Sequence, residues 1–152
     1  MAPAPNRFHQ EISFNIEFIL AKYLEAHPIG KVYNAPFDVY LTEHDVFQPD
    51  LVFIARENFA ILTDAGAEGA PDLVIEILSA KTARLDRKLK IRVYARTGVK
   101  ELWLVDPDLR VVEIFDLPKD SQQPAAIYRE RDGFSSAFFP GLTFDVSSFF
   151  KR

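Results

Sequence analysis

Three charged residues stand where charge is costly. Asp50 opens the apolar run Leu51-Val52-Phe53-Ile54, Glu76 interrupts the apolar run from Leu73 to Leu78, and Lys90 follows on the next helix. A carboxylate within so apolar a strand costs free energy unless a partner offsets it. Two carboxylates on neighbouring strands can share a divalent cation through oxygen ligands, as magnesium prefers. A lysine beside them can steer an attacking water or neutralise charge on a phosphate. Phosphodiester hydrolysis calls for those parts: an activated water, charge neutralisation and a held backbone. Asp72, four residues before Glu76, points to the same strand face and is a candidate further ligand. No Ser/His/Asp arrangement competes. His9, His27 and His44 have no partner at metal-ligand spacing.

Each residue also has a plain structural reading. Asp50, after Pro49, is the residue type that forms a turn at a strand entrance. Glu76 in an edge strand would pair with an arginine of the helix. Lys90 stands four after Asp86, the spacing of an exposed helix ion pair worth a few tenths of a kcal/mol. Asp72 reads equally as a strand-entry turn.

The elements that must position these residues follow from hydrophobic spacing. Phe8, Ile12, Ile16, Ile19, Leu20, Tyr23 and Leu24 place one apolar stripe on a helix from Arg7 to about Ala26. His27-Pro28 ends it. Glu11, Asn15 and His9 read as ordinary polar surface of that helix. Lys31 to Tyr33 and Phe37 to Leu41 read as strands, with Thr42 to Asp45 a polar turn and a further strand entered through Pro49-Asp50. Arg56 to Ala70 reads as a short helix plus a mobile loop. Leu73 to Leu78, a basic amphipathic helix from about Thr82 to Thr97, and Glu101 to Val105 make a strand–helix–strand crossover. On that helix Leu85, Leu89 and Val93 form the expected core stripe. Asp86, Lys90 and Tyr94 flank it on one side; Arg84, Lys88, Arg92 and Arg96 flank it on the other. Val111 to Phe115 returns against Leu102 to Val105 through Asp106-Pro107-Asp108. Ile127 to Arg131 and Phe134 to Phe138 flank Asp132-Gly133, a hairpin signal. The closing Val146 to Phe150 is apolar enough to dock on the body, so Phe138, Phe139, Phe149 and Phe150 are expected in the core or at a dimer contact rather than at a partner site.

The 152 residues are read as a single domain, with residues 1–6 disordered. The chain has no cysteine, which excludes disulfides, thiolate metal sites and cysteine nucleophiles. No apolar run has the length of a membrane span, and MAPAPNRFHQ lacks the pattern of a secretion signal, so the protein is read as cytoplasmic. The formal net charge is -4. Residues 79–100 carry eight basic residues against Asp86 alone, a balance of +7, which leaves -11 on the remainder. Such a patch suits a polyanionic partner held locally, and equally a solvated helix face.

The run PDLVIEILS, then Asp86, Lys90 and Tyr94 at four-residue intervals, then GVKELWLVDP resembles the Uma-two family. The resemblance extends from the helix near His9, through FDVYLTEHDVFQPDLVFI, to FPGLTFDVSSFF, almost the whole chain. It implies an endonuclease of the PD-(D/E)xK superfamily with a restriction-endonuclease-like fold: a mixed α/β sheet with flanking helices, here followed by C-terminal β-hairpins. By this resemblance Asp50 takes the place of the PD aspartate and Glu76 that of the acid of the (D/E)xK strand. The position two after Glu76 is Leu78 rather than lysine, and Lys90 on the following helix is the matching lysine. The resemblance implies a magnesium- or manganese-dependent nuclease acting on DNA. By it Asp50, Glu76 and Lys90 would be catalytic and Asp50 and Glu76 would hold the metal; the strand face adds Asp72 as a further ligand, and the helix stripe adds Arg84, Lys88 and Arg92 to hold phosphates. The resemblance makes a homodimer a natural arrangement for cutting two strands. The rival expectation is a non-catalytic nucleic-acid-binding or regulatory module on the same scaffold.

Overall fold

The structure is a computed structural model that describes residues 6–79 and 84–152, with residues 84 and 85 described by their backbone alone. Helix α1 spans Arg7–Ala26. Asn6, expected with the preceding residues to lack structure, caps it: its side chain accepts a hydrogen bond from the His9 backbone N–H at 2.9 Å. Residues 1–5 lie outside the described residues. The expected stripe is buried, with Ile12, Ile16 and Leu20 fully inaccessible.

Strands β1 (Gly30–Asn34), β2 (Val39–Tyr40), β3 (Val46–Phe47) and β4 (Leu51–Ala55) follow. The ladder holds only two of the five residues expected in the second strand. After β4 the chain makes a 3-10 helix at Arg56–Ile61. Instead of the loop expected next, β5 (Leu62–Thr63) and β6 (Gly66–Ala67) form a hairpin, and β6 runs parallel to β2. Gly66 allows this: at φ +139° a Cβ would lie 2.1 Å from the Asp38 carbonyl oxygen, so no side chain fits.

Strand β7 (Leu73–Ile77), helix α2 (Arg84–Thr97) and strand β8 (Glu101–Asp106) form the expected crossover, with β7 and β8 parallel. The expected helix residues Thr82 and Ala83 lie outside the described residues. Strand β9 (Val111–Asp116) returns antiparallel to β8, and β10 (Ala126–Arg129) pairs with β9. Strands β11 (Gly133–Phe134) and β12 (Phe144–Asp145) pair with each other, and a short helix α3 (Val146–Phe149) closes the chain. The hairpin expected across Asp132-Gly133 does not form. Asp132 still turns the chain, its Oδ2 accepting the Arg129 N–H at 2.7 Å. Burial decides where the chain goes next: Phe134 packs edge-on against Trp103 at 5.2 Å, which draws β11 to β12 instead of β10.

The main sheet has the order β1-β4-β7-β8-β9-β10, so β4 and β7 are central strands. Alternation splits its residues between two cores. Leu51, Phe53, Leu73, Ile75, Ile77 and Trp103 face α1 and the C-terminal aromatics. Phe139, Phe149 and Phe150 are buried there, as expected. Val52, Ile54, Val74, Leu102 and Leu104 face α2.

The buried face of α2 differs from the expected one. Ile91 and Tyr94 are buried, whereas Leu89 is 48% exposed. The stripe through Leu89 therefore points away from the sheet. Ile91 and Tyr94 pack into the α2-side core with Ala95 against it, and Tyr94 and Lys90 also find a carboxylate partner on the sheet, whereas Leu89 does neither. The side chain of Leu85 lies outside the described residues.

Candidate active site

Asp50 and Glu76 come together because β4 and β7 run antiparallel in the register Leu51 opposite Ile75. One step outward along that register sets Asp50 opposite Glu76. The contact is visible in the backbone, where the Asp50 N–H reaches Glu76 Oε1 at 3.4 Å. Asp50 Oδ2 accepts the Ile77 N–H at 2.7 Å, which ties the two strand ends together. Both residues are half-buried.

Glu76 occupies the α2 face of its strand, and α2 supplies two donors. Lys90 Nζ lies 2.7 Å from Glu76 Oε2. The Tyr94 hydroxyl donates to the same oxygen at 2.8 Å. Burial and the neighbouring Glu76 push the Tyr94 phenol far above its ordinary range, so it stays a proton donor. Lys90 Nζ also lies 5.5 Å from the centre of the Phe47 ring, and that ring meets Tyr94 edge-on at 5.4 Å. Lys90 thus pairs across the fold with Glu76, and Glu76 is an acid of a central strand rather than of an edge. A small cavity of about 60 Å³ opens beside them, lined by Glu76, Arg87, Lys90, Ile91, Tyr94 and Leu104.

His9, read from the sequence as polar helix surface, reaches the same place from α1. Its Nε2 is 3.4 Å from Asp50 Oδ2 and 3.2 Å from the Ile77 carbonyl oxygen. The hydrogen bond to Asp50 holds the imidazole above its ordinary pKa, with burial opposing it. A signal was present in the sequence. His9 lies three residues before Ile12 and seven before Ile16, so it shares their inward face. Tyr94 was marked only as part of a stripe; its four-residue spacing from Lys90 was the sign that both reach one partner.

Asp72 stands apart from this group. It precedes β7 at the opposite end from Glu76, about 13 Å away along the strand at 3.3 Å per residue. Its Oδ2 accepts the Ala55 N–H at 2.7 Å, and Lys100 Nζ lies 3.8 Å from its Oδ1. Buried and bonded in this way, it ties the far end of β7 to β4. Lys88 and Arg92 are exposed on α2, and the side chain of Arg84 lies outside the described residues.

Among the described residues, no three His, Asp or Glu side chains are gathered into a ready-made metal cage. Magnesium does not require one, since it keeps several waters and is commonly held by one or two carboxylates. The donor set of Asp50 and Glu76, hard oxygens at adjoining strand ends with Glu76 lining the cavity, fits such an ion. Among the described residues no helix is long and apolar enough to cross a membrane.

No curated protein matches the chain. Among solved structures, a "putative nuclease belonging to DUF820" from Anabaena variabilis ATCC 29413 superposes with a TM-score of 0.79. The match covers 97% of this chain and 83% of that one at 19% identity, and so speaks for the fold. The family model described as "Uma2: Putative restriction endonuclease" matches residues 1–147. The chain belongs to the Uma2 family, in agreement with the resemblance carried by its central motifs.

Proposed function

We propose that the protein is a divalent-metal-dependent DNA endonuclease whose working groups are Asp50, Glu76 and Lys90. The observation that carries this reading is the pairing of two acidic residues at adjoining strand ends, the Asp50 N–H 3.4 Å from a Glu76 carboxylate oxygen, with a lysine 2.7 Å from the other oxygen of Glu76. A scaffold with no use for such a group could replace it by apolar residues at little cost. Asp50 and Glu76 hold the cation, magnesium or manganese, and Asp72 is left to its structural bonds. The cation, when bound, acidifies a water and offsets charge on the phosphate. Lys90 Nζ stands beside Glu76 as a cationic donor for the charge that develops on a phosphate oxygen, and Tyr94 holds Glu76 in place.

The basic face of α2 gives the polyanion a path to this centre. A groove of about 300 Å³ between Lys88, Arg92 and the Ser121–Gln123 loop adjoins the Glu76 cavity at Ile91, which lines both. Lys88 and Arg92 bind backbone phosphates there, and the acidic remainder of the chain confines DNA to that side. Two copies related by a two-fold axis would address both strands of a duplex. Static light scattering with and without DNA tests that arrangement.

The deciding experiment is plasmid nicking with magnesium or manganese, by the wild type and by Glu76→Ala. Metal-dependent nicking that vanishes in the variant is expected. DNA binding without any metal-dependent cleavage by the wild type would overturn the catalytic reading in favour of a binding module.

A further inference from the structure

We infer that His9 is a positioning residue of this centre, fixing the Asp50 carboxylate so that one of its oxygens is tethered and the other is presented to the cation. The inference rests on the reading of Asp50 and Glu76 as the cation-holding pair. The Asp50 carboxylate and the Ile77 carbonyl can only accept hydrogen bonds, and both lie within 3.4 Å of the same His9 nitrogen. Nε2 therefore carries the hydrogen and donates to both. Oδ2 of Asp50 is then held twice, by the Ile77 N–H at 2.7 Å and by His9. No described residue bonds Oδ1. The carboxylate is left with one orientation, in which Oδ1 is the oxygen for an incoming ligand.

His9 itself is anchored. Its backbone N–H is bonded to the Asn6 cap, its side chain is only 12% exposed, and the next turns of α1 are locked into the core through Ile12 and Ile16. A donor on a rigid helix is a better tether than one on a loop, because its own position costs no ordering when the cation arrives. The path Asn6–His9–Asp50–Ile77 joins the start of α1 to the carboxylate, so a helix outside the crossover tunes the centre. Outer partners of this kind change metal affinity by about 10- to 100-fold.

The test is calorimetric titration of manganese into the full chain as wild type, His9→Ala, His9→Leu and His9→Gln, with folding followed by circular dichroism. Affinity should fall by about tenfold or more in His9→Ala and His9→Leu. It should largely recover in His9→Gln, whose amide nitrogen replaces the Nε2 donor. His9→Leu keeps the apolar packing of α1 and stands in for His9→Ala if that variant does not fold. Wild-type affinity in the folded donor-less variants would reduce His9 to a helix clamp and overturn the inference alone. Tighter binding in those variants would overturn it by making His9 a competitor of the cation. A His9→Gln variant as weak as His9→Ala would overturn it by showing that the ring itself is required. A wild type that binds no manganese would overturn both this inference and the proposed function.

Discussion

Lys90 Nζ and Glu76 Oε2 are 2.7 Å apart, one on α2 and the other in the central strand β7. A helix lysine thereby reaches a strand carboxylate without standing on the strand. Leu78, two residues after Glu76, is apolar and packs with the α2-side core.

If Lys90 serves the reaction, Lys90→Ala should lose about 10²- to 10³-fold in nicking rate, the scale of one lost electrostatic donor. Its side chain is 37% exposed, so solvent screens the pair and stability should change by less than about 1 kcal/mol. Single-turnover nicking and urea unfolding on the same samples check both halves. An active Lys90→Ala would remove the lysine from the mechanism.

Tyr94 gives the opposite balance. It is 1% exposed and donates to an acid, so Tyr94→Phe should cost about 1–2 kcal/mol of stability at neutral pH. Its folded-state pKa lies above the ordinary value of 10.0. The wild type therefore keeps its full stability below that value and loses some as pH rises beyond it. The phenylalanine variant has no phenol to ionise, so the gap between the two proteins should narrow in alkali. Urea unfolding at neutral pH and above pH 10 measures this directly.

How far the sequence disclosed these relations depends on what each signal encodes. The α1 stripe, the β7–α2–β8 crossover and the Asp50/Glu76 meeting were legible because periodicity and misplaced charge mark them locally. The rotation of α2 was not, since Leu85, Leu89 and Val93 make as regular a stripe as the face that is buried. The packing of Ile91 and Tyr94 on the sheet and the carboxylate partner of Lys90 and Tyr94 lie on other elements of the chain. Asp132-Gly133 codes a turn, but strand pairing after it depends on where Phe134 finds Trp103. His9 was passed over because its partners, Asp50 and Ile77, are distant in the chain, although its own helix position was informative. Asp72 shows the converse: a strand-face argument put it with Glu76, and the length of the strand separates them.

The α2 surface yields a prediction about salt. Each phosphate contact releases counterions, so the logarithm of DNA affinity should fall with the logarithm of salt by about 0.9 per contact. Lys88→Ala and Arg92→Ala should each weaken binding at low salt and reduce that slope by about one, on any duplex sequence. Fluorescence anisotropy across a salt series without divalent metal, with the wild type as the parent, would measure it. An unchanged slope in both variants would place DNA elsewhere on the molecule.

Glu101 offers a test of the fold that is independent of the site. Burial raises its pKa above the ordinary carboxylate value, against the lowering effect of hydrogen bonds from Trp103 Nε1 at 2.7 Å and Ser136 Oγ at 3.0 Å. An acid whose folded-state pKa is raised contributes its full stability below the unfolded-state value and loses it as pH climbs through the folded-state value. At neutral pH Glu101 is therefore a net cost of ionisation in a buried setting. The amide of Glu101→Gln can accept both hydrogen bonds through its oxygen and carries no charge to desolvate. That variant should melt higher than the wild type at pH 7, and its advantage should shrink as pH falls toward 4. Thermal unfolding at matched ionic strength across that range checks the sign. A variant less stable than the wild type at pH 7 would mean that the ionised carboxylate, held by Trp103 and Ser136, is worth more to the fold than its burial costs.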